Sequence, residues 1–235
     1  MELQPIRSNE NAGAPYRSAT LGVESQKVLR NTYLLLALTM VPTLIGAFIG
    51  MSTVAIMVQH PIMITLLMFA GVIGLQFAIV ANRNNALGIV FLLLMTGLLG
   101  WFLGPLLTYA LALKNGAQLV GYAAGGTGII FLVMGGIAIT TKRDFSFMGK
   151  FLFVGMIALL IAMVANMFLH IPALTLTIST LVIVVFSLFL LHDLSRIVTG
   201  GETNYIMATT GVYLSLFNIF VSLLRILMIL SGQRE

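Results

Sequence analysis

The chain of 235 residues contains no cysteine, and that absence excludes disulfides, thiol catalysis and thiolate metal sites. Charge is nearly as scarce. Asp, Glu, Lys and Arg make up 8% of the residues and hydrophobic types 59%, where ordinary soluble domains carry about 25% charged residues. With a mean hydropathy of +1.07, most of this chain cannot face water, and the composition is that of an integral membrane protein. The alternation of apolar and polar residues in segments of about ten that a transmembrane β-barrel requires is also missing.

What the sequence does have is seven unbroken apolar runs, at 33–51, 62–81, 86–106, 118–140, 149–169, 173–191 and 206–230. Each is close to the roughly 20 residues that a helix needs to cross a hydrocarbon core of about 30 Å. The fold class is therefore all-α, with seven transmembrane helices. His60-Pro61 and Ile171-Pro172 place proline at helix starts, where its missing N–H costs nothing. "ANRNN" at 81–85 is a turn-rich break. Pro42 and Pro105 fall within or near the end of apolar runs, which bilayer helices tolerate when neighbours satisfy the freed carbonyl. No long linker, soluble domain or internal repeat interrupts the pattern. A polar tail, 1–30, precedes one membrane domain, 31–235.

Basic residues give the orientation. Arg7, Arg17, Lys27, Arg30, Arg83, Lys142, Arg143, Lys150 and Arg196 all fall on one side, and Lys114 and Arg234 on the other. The positive-inside rule then predicts a cytoplasmic N-terminus and an external C-terminus. The first thirty residues lack the apolar stretch of a cleavable signal, so the first run reads as an uncleaved anchor. A net charge of +5 scattered over membrane-flanking loops speaks for topogenesis rather than nucleic-acid binding. The tail to about residue 26 is polar, contains Pro5, Gly13, Pro15 and Gly22, and is expected to be disordered and accessible.

On the last helix Gly211, Ser215, Asn218, Ser222 and Arg225 fall within an arc of about 80° at 100° per residue. Small and hydrogen-bonding residues at this four-three spacing drive helix association in lipid, so this helix is expected to pack inward, although such a stripe can also line a water path. Glycines mark its expected neighbours: Gly46 and Gly50 on the first helix, Gly97, Gly100 and Gly104 on the third, and Gly121, Gly125 and Gly128 on the fourth.

Charged and polar residues near the membrane are the candidate site. Asp193, one turn before Arg196, reads either as an interfacial aspartate paired with Arg196 or Arg83, or as a buried carboxylate sensitive to protons or cations. Arg225 is expected to snorkel to the headgroups. His60, His170 and His192 have no i, i+4 pairing and form no strong metal site, and Asn166 is expected to hydrogen-bond between helices. Enzymatic readings fail by absence. The seventh helix has no lysine for a retinal Schiff base, no membrane serine sits in a G-x-S-x-G turn, Asp193 has no second carboxylate beside it, and "GYAAGGTGIIF" lacks the lysine of a phosphate loop. No cofactor is expected.

"GWFLGPLL" at 100–107, "TTKRDFSFMG" at 140–149, "MVANMFLHIPAL" at 163–174 and "GGETNYIMATTGVYLSLFNIFVSLL" at 200–224 resemble the bacterial branch of the Bax inhibitor-1 family. The likeness runs from about Lys27 to Leu230. It implies a seven-helix fold with six helices around a central seventh, in a bacterial inner membrane. For the wider family it implies a pH-sensitive calcium leak governed by two aspartates. Asp193 matches the first, whereas the second position is Ser215 here, which puts that activity in doubt. For the bacterial branch it implies modulation of FtsH, a membrane-anchored ATP-dependent protease, with scaffold proteins of the HflK/HflC type as companions. The protease would engage the tail and only slowly extract the bundle.

Overall fold

The computed structural model describes residues 14–141, 143–169 and 171–232, with the side chains of 14–21 and of Met167 excepted. Among them are eight helices: α1 Ala14–Ser52, α2 Val54–Gln59, α3 Pro61–Ala81, α4 Ala86–Ala112, α5 Gly116–Thr141, α6 Met148–Leu169, α7 Pro172–Val198 and α8 Tyr205–Gly232. Seven are long and apolar enough to cross a bilayer, and α2 is a single short excursion between α1 and α3. Proline opens α3 and α7 as expected, and Pro42 and Pro105 lie inside continuous helices.

The tail departs from expectation. Residues 14–26 form the first turns of α1, where disorder was expected, whereas residues 1–13 of the tail lie outside the described residues. Extending an existing helix adds one hydrogen bond per residue with no new nucleation penalty, so a strong span carries a polar flank with it, and Pro15 in the first turn is harmless there. At 1.5 Å per residue the 39 residues of α1 reach about 58 Å, well beyond an apolar core of about 30 Å. Its N-terminal third is a stem outside the hydrocarbon.

α8 is the hub. Among the described residues it packs against α1, α3, α4, α5 and α7, while α6 meets α7 alone. The expected ring of six around the seventh thus has one outlying member. The main core runs along α8 through Ile206, Val212, Tyr213 and Ile219 and gathers Leu92 and Met95 of α4 with Leu190, Leu194 and Ile197 of α7. A separate small cluster, Leu159, Ile178 and Val182, joins α6 to α7. Large side chains such as Leu34, Phe48, Phe77, Leu132 and Phe151 point outward, as lipid-facing positions do.

The glycines divide into two groups. A Cβ at Gly46 would overlap the carbonyl of Gly97, one at Gly100 the carbonyl of Thr43, one at Gly50 the carbonyl of Trp101, and one at Gly104 the backbone of Gly50. Gly97 faces Pro42, Gly46 also meets the Trp101 backbone and Gly50 also meets Gly104, so the contacts advance together overall and α1 and α4 run parallel with backbone against backbone. By contrast, a Cβ at Gly121, Gly125 or Gly128 would meet nothing within 4 Å. These three were expected in a packed seam and instead face outward. α5 turns its other side inward, through Ala123, Thr127, Gly135 and Ala138.

Candidate functional site

α7 ends where Gly200, at φ +79°, turns the chain out of the helix, a conformation that favours glycine. Three backbone bonds close that end: Thr199 N–H to Ser195, Gly200 N–H to Ile197 and Glu202 N–H to Arg196. The chain then enters α8 through Asn204, whose Oδ1 accepts the N–H groups of Ile206 at 3.0 Å and Met207 at 3.1 Å. Asn204 is an N-cap. Its Nδ2 also donates to the Arg83 carbonyl at 2.8 Å and to Asn84 Oδ1 at 3.0 Å. One side chain therefore starts the central helix and ties it to the α3–α4 turn.

Inside this corner lies a cavity of about 200 Å³ lined by Gln76, Asp193, Arg196, Glu202, Thr210 and Gly211, with Met207, Ala208 and Leu214 as its apolar wall. Asp193 rests directly on α8: a Cβ at Gly211 would come within 2.5 Å of its Oδ2. The glycine is what admits the carboxylate. Asp193 Oδ1 lies 3.0 Å from His192 Nδ1, and the two side chains are 21% and 11% exposed. On its far side, the His192 ring abuts Gly149 of α6, where a Cβ would lie 2.9 Å from Nε2. Arg196 turns to Glu202 at 3.5 Å and donates to the Gly201 carbonyl at 3.2 Å.

The expected pairings are thus redistributed. Asp193 pairs with His192, and Arg196 with Glu202. Arg83 contributes its carbonyl to Asn204 and does not line the cavity. Ser215 is buried one turn beyond Gly211 and lies outside the lining. Two participants escaped the sequence reading. Gln76 brings a buried Oε1 with no hydrogen-bond partner, and a lone amide within the apolar run of α3 was its available signal. Glu202 was visible only as a loop acid in "GGETN".

Beside this cavity a second one, of about 400 Å³, separates the α1 stem from the α7–α8 turn. Glu24, Ser25, Lys27, Val28 and Asn31 line one wall, and Gly200, Glu202, Thr203 and Tyr205 the other. Glu202 borders both cavities. In the α5–α6 connection Asp144 Oδ1 accepts the Ser146 N–H at 2.8 Å. The Ser146 side chain and then its backbone hold the Asp144 carboxyl below its usual range.

On the α8 stripe, Asn218 serves its own helix, donating to the Leu214 carbonyl at 2.8 Å, and Arg225 is exposed in the C-terminal part of α8. The bonds between helices come from the opposite face. Tyr213, 2% exposed, meets Thr43 Oγ1 at 2.8 Å and the Thr96 carbonyl at 3.4 Å, and Thr209 reaches the Thr32 carbonyl at 3.4 Å. Asn166 does bridge helices, donating to Thr175 Oγ1 at 2.7 Å and accepting the Ile171 N–H at 3.2 Å. His60 sits between α2 and α3, and His170 lies outside the described residues. Among the described residues no group of three or more His, Asp or Glu is placed to hold a metal ion.

Comparison with known proteins finds membrane proteins among the relatives. The "Modulator of FtsH protease YccA" of Escherichia coli K12 is 43% identical over 205 residues, 87% of this chain and 91% of its own. An "Uncharacterized membrane protein" of Vibrio cholerae is 43% identical over 212 residues, 90% of this chain and 93% of its own. An uncharacterized protein of Pseudomonas aeruginosa is 38% identical over 211 residues, 89% and 92%. The family model described as "Inhibitor of apoptosis-promoting Bax1" matches residues 25–232. With seven helices long and apolar enough to cross a membrane and that match over nearly its whole length, the chain belongs to the Bax inhibitor-1 family of membrane proteins.

Proposed function

We propose that this protein binds and restrains the membrane protease FtsH in the bacterial inner membrane, acting as a slowly extracted substrate. The observation that carries this reading is the 43% identity, over most of both chains, to a protein named as a modulator of FtsH. The α1 stem supports it physically. A helix continuous from Ala14 to Ser52 joins the N-terminal segment directly to the bundle, so a pull on residues 1–13 is transmitted along one rod. An N-terminus on the cytoplasmic side, as the basic residues predict, puts that handle where an ATP-driven protease works. HflK- and HflC-type scaffold proteins are the companions this reading expects.

The test is recovery of FtsH with the full-length protein from solubilised membranes, together with turnover after synthesis is stopped. Removing residues 1–13 leaves α1 whole. Loss of both association and turnover in that variant is expected, with no change for Asp193→Asn. Association and turnover that ignore both the tail and the protease overturn the reading.

The competing function is a cation leak, favoured by the two carboxylates and the unpartnered amide oxygen in the 200 Å³ cavity. It is the weaker reading. Asp193 lies against Gly211 and His192, the cavity's other carboxylate, Glu202, is paired with Arg196, and with Ser215 at the other position little uncompensated charge is left for a cation to bind. Calcium flux into proteoliposomes that falls with Asp193→Asn is the outcome that reverses this order.

A further inference from the structure

We infer that resistance to extraction is concentrated in one place, the parallel seam between the C-terminal half of α1 and α4, and that Thr43, Gly46, Gly50, Gly100 and Gly104 set how long the chain withstands a pull from its N-terminus. The inference deepens the modulator reading above and rests on it for its biological meaning.

Force enters at the N-terminal end of the chain. Tension on the N-terminal segment loads the stem first, where residues from Gly22 to Arg30 are mostly exposed or half-buried and few contacts oppose unravelling. Going further, the helix meets Thr32 and Leu35, which touch the core, and then the seam. There a Cβ on Gly46, Gly50, Gly100 or Gly104 would overlap backbone atoms of the facing helix. Contact at that range maximises dispersion and brings Cα–H groups against carbonyls along the whole seam. Two side-chain bonds pin its ends. Thr43 joins Tyr213 at 2.8 Å, and Trp101 Nε1 donates to Thr53 Oγ1 at 2.9 Å. Freeing α1 strips a buried tyrosine hydroxyl on the central helix of its best partner, in a medium with no water to replace it.

The other interfaces differ. Among the described residues α6 touches α7 alone; a Cβ at Gly155 would find only Val185 Cγ2 at 3.9 Å, and one at Gly149 would meet a side chain, His192 Nε2 at 2.9 Å, rather than backbone. That edge can loosen without releasing α1. The outward Gly121, Gly125 and Gly128 have nothing within 4 Å and supply a matched set of glycines outside any seam.

Because the chain has no cysteine, a single Leu3→Cys gives a unique handle for pulling the full-length protein out of a bilayer by atomic force microscopy. The largest force is expected once unravelling has reached Thr43. Gly100→Ala and Gly46→Ala lower that peak, Thr43→Val lowers it less, and Gly121→Val leaves it unchanged. Ile178→Ala in the α6–α7 cluster lowers thermal stability and also leaves the peak unchanged. A largest force located elsewhere, or one that follows overall melting temperature wherever the substitution lies, overturns the inference. Protease-dependent half-life of the same variants is measured in parallel. The seam variants are expected to shorten it about fivefold or more, the acceleration that overpacking produces when it acts on the unfolding barrier. A half-life indifferent to FtsH, with the force pattern intact, removes the modulator reading and leaves the seam as the mechanical stop of the fold.

Discussion

At the scale of single residues, the contact between Gly211 and Asp193 is the most constrained in the candidate site. Gly211→Ala places a methyl group 2.5 Å from Asp193 Oδ2, and overpacking of that kind costs about 1–3 kcal/mol. A lower melting temperature in detergent is expected, partly restored by adding Asp193→Ala. Additive effects of the two changes contradict the contact. Asp144 offers a second residue-scale check. Its carboxyl sits below the usual range because Ser146 supplies hydrogen bonds to the ionised form. Its small contribution to stability is therefore complete above the unfolded-state value and is lost as pH falls through the depressed one. Ser146→Ala should move the Asp144 midpoint upward in an NMR titration of carboxylate carbons, and an unchanged midpoint refutes the assignment. Sequence reading reached Asp193 because an acid at the end of an apolar run is conspicuous. It left open a pairing with Arg196 or Arg83 and a buried carboxylate, and did not reach His192, since which side chain meets Asp193 depends on where Gly200 turns the chain. Gln76 and Glu202 are far from Asp193 along the chain or beyond that turn, and no local pattern links them to it.

Among helices, Asn204 is the joint on which α8 hangs. Asn204→Ala removes a cap worth about 1 kcal/mol together with two bonds to the α3–α4 turn, each worth about 0.5–1.5 kcal/mol. The expected loss of stability is therefore about 2–4 kcal/mol. Asn204→Asp keeps the cap but loses the donor bonds and should fall between, as judged by thermal melting and by amide exchange at Ile206 and Met207. Equal losses for both variants refute the division of labour between the two ends of the side chain. Helix positions were legible from the sequence, because runs of about twenty apolar residues leave a chain in lipid few alternatives. Helix faces were less so. The spacing of Gly121, Gly125 and Gly128 is the same whether a neighbour or lipid lies opposite, and periodicity carries no term for which it is. Tyr213 was missed for a related reason. It lies on the opposite face from the polar stripe, and a hub helix buries both faces.

Across the whole molecule, the modulator reading makes a prediction in which the ends of the chain are unequal. A tag that blocks residues 1–13 should lengthen the half-life in membranes that contain FtsH, whereas the same tag after Gly232 should not. Equal protection from either end contradicts entry at the N-terminus. The start of α1 was where sequence analysis failed at this scale. Composition marked residues 14–26 as polar and mobile, yet a helix already paid for by the bilayer runs straight through them.

The parallel pairing of α1 with α4 also bears on how the protein is made. Residues 53–85 must pass through the membrane-insertion machinery as α2 and α3 before α4 can emerge, so the first helix enters lipid long before the partner that covers its glycine face. Contacts this distant in sequence form late. Until then Thr32, Thr39 and Thr43 lie along a newly inserted helix without their later neighbours, of which Tyr213 of α8 is synthesised last. A ribosome that stalls between Ala86 and Tyr205 would therefore leave an α1 that is inserted but unlatched, and quality control acting on nascent chains would meet its easiest target in that interval.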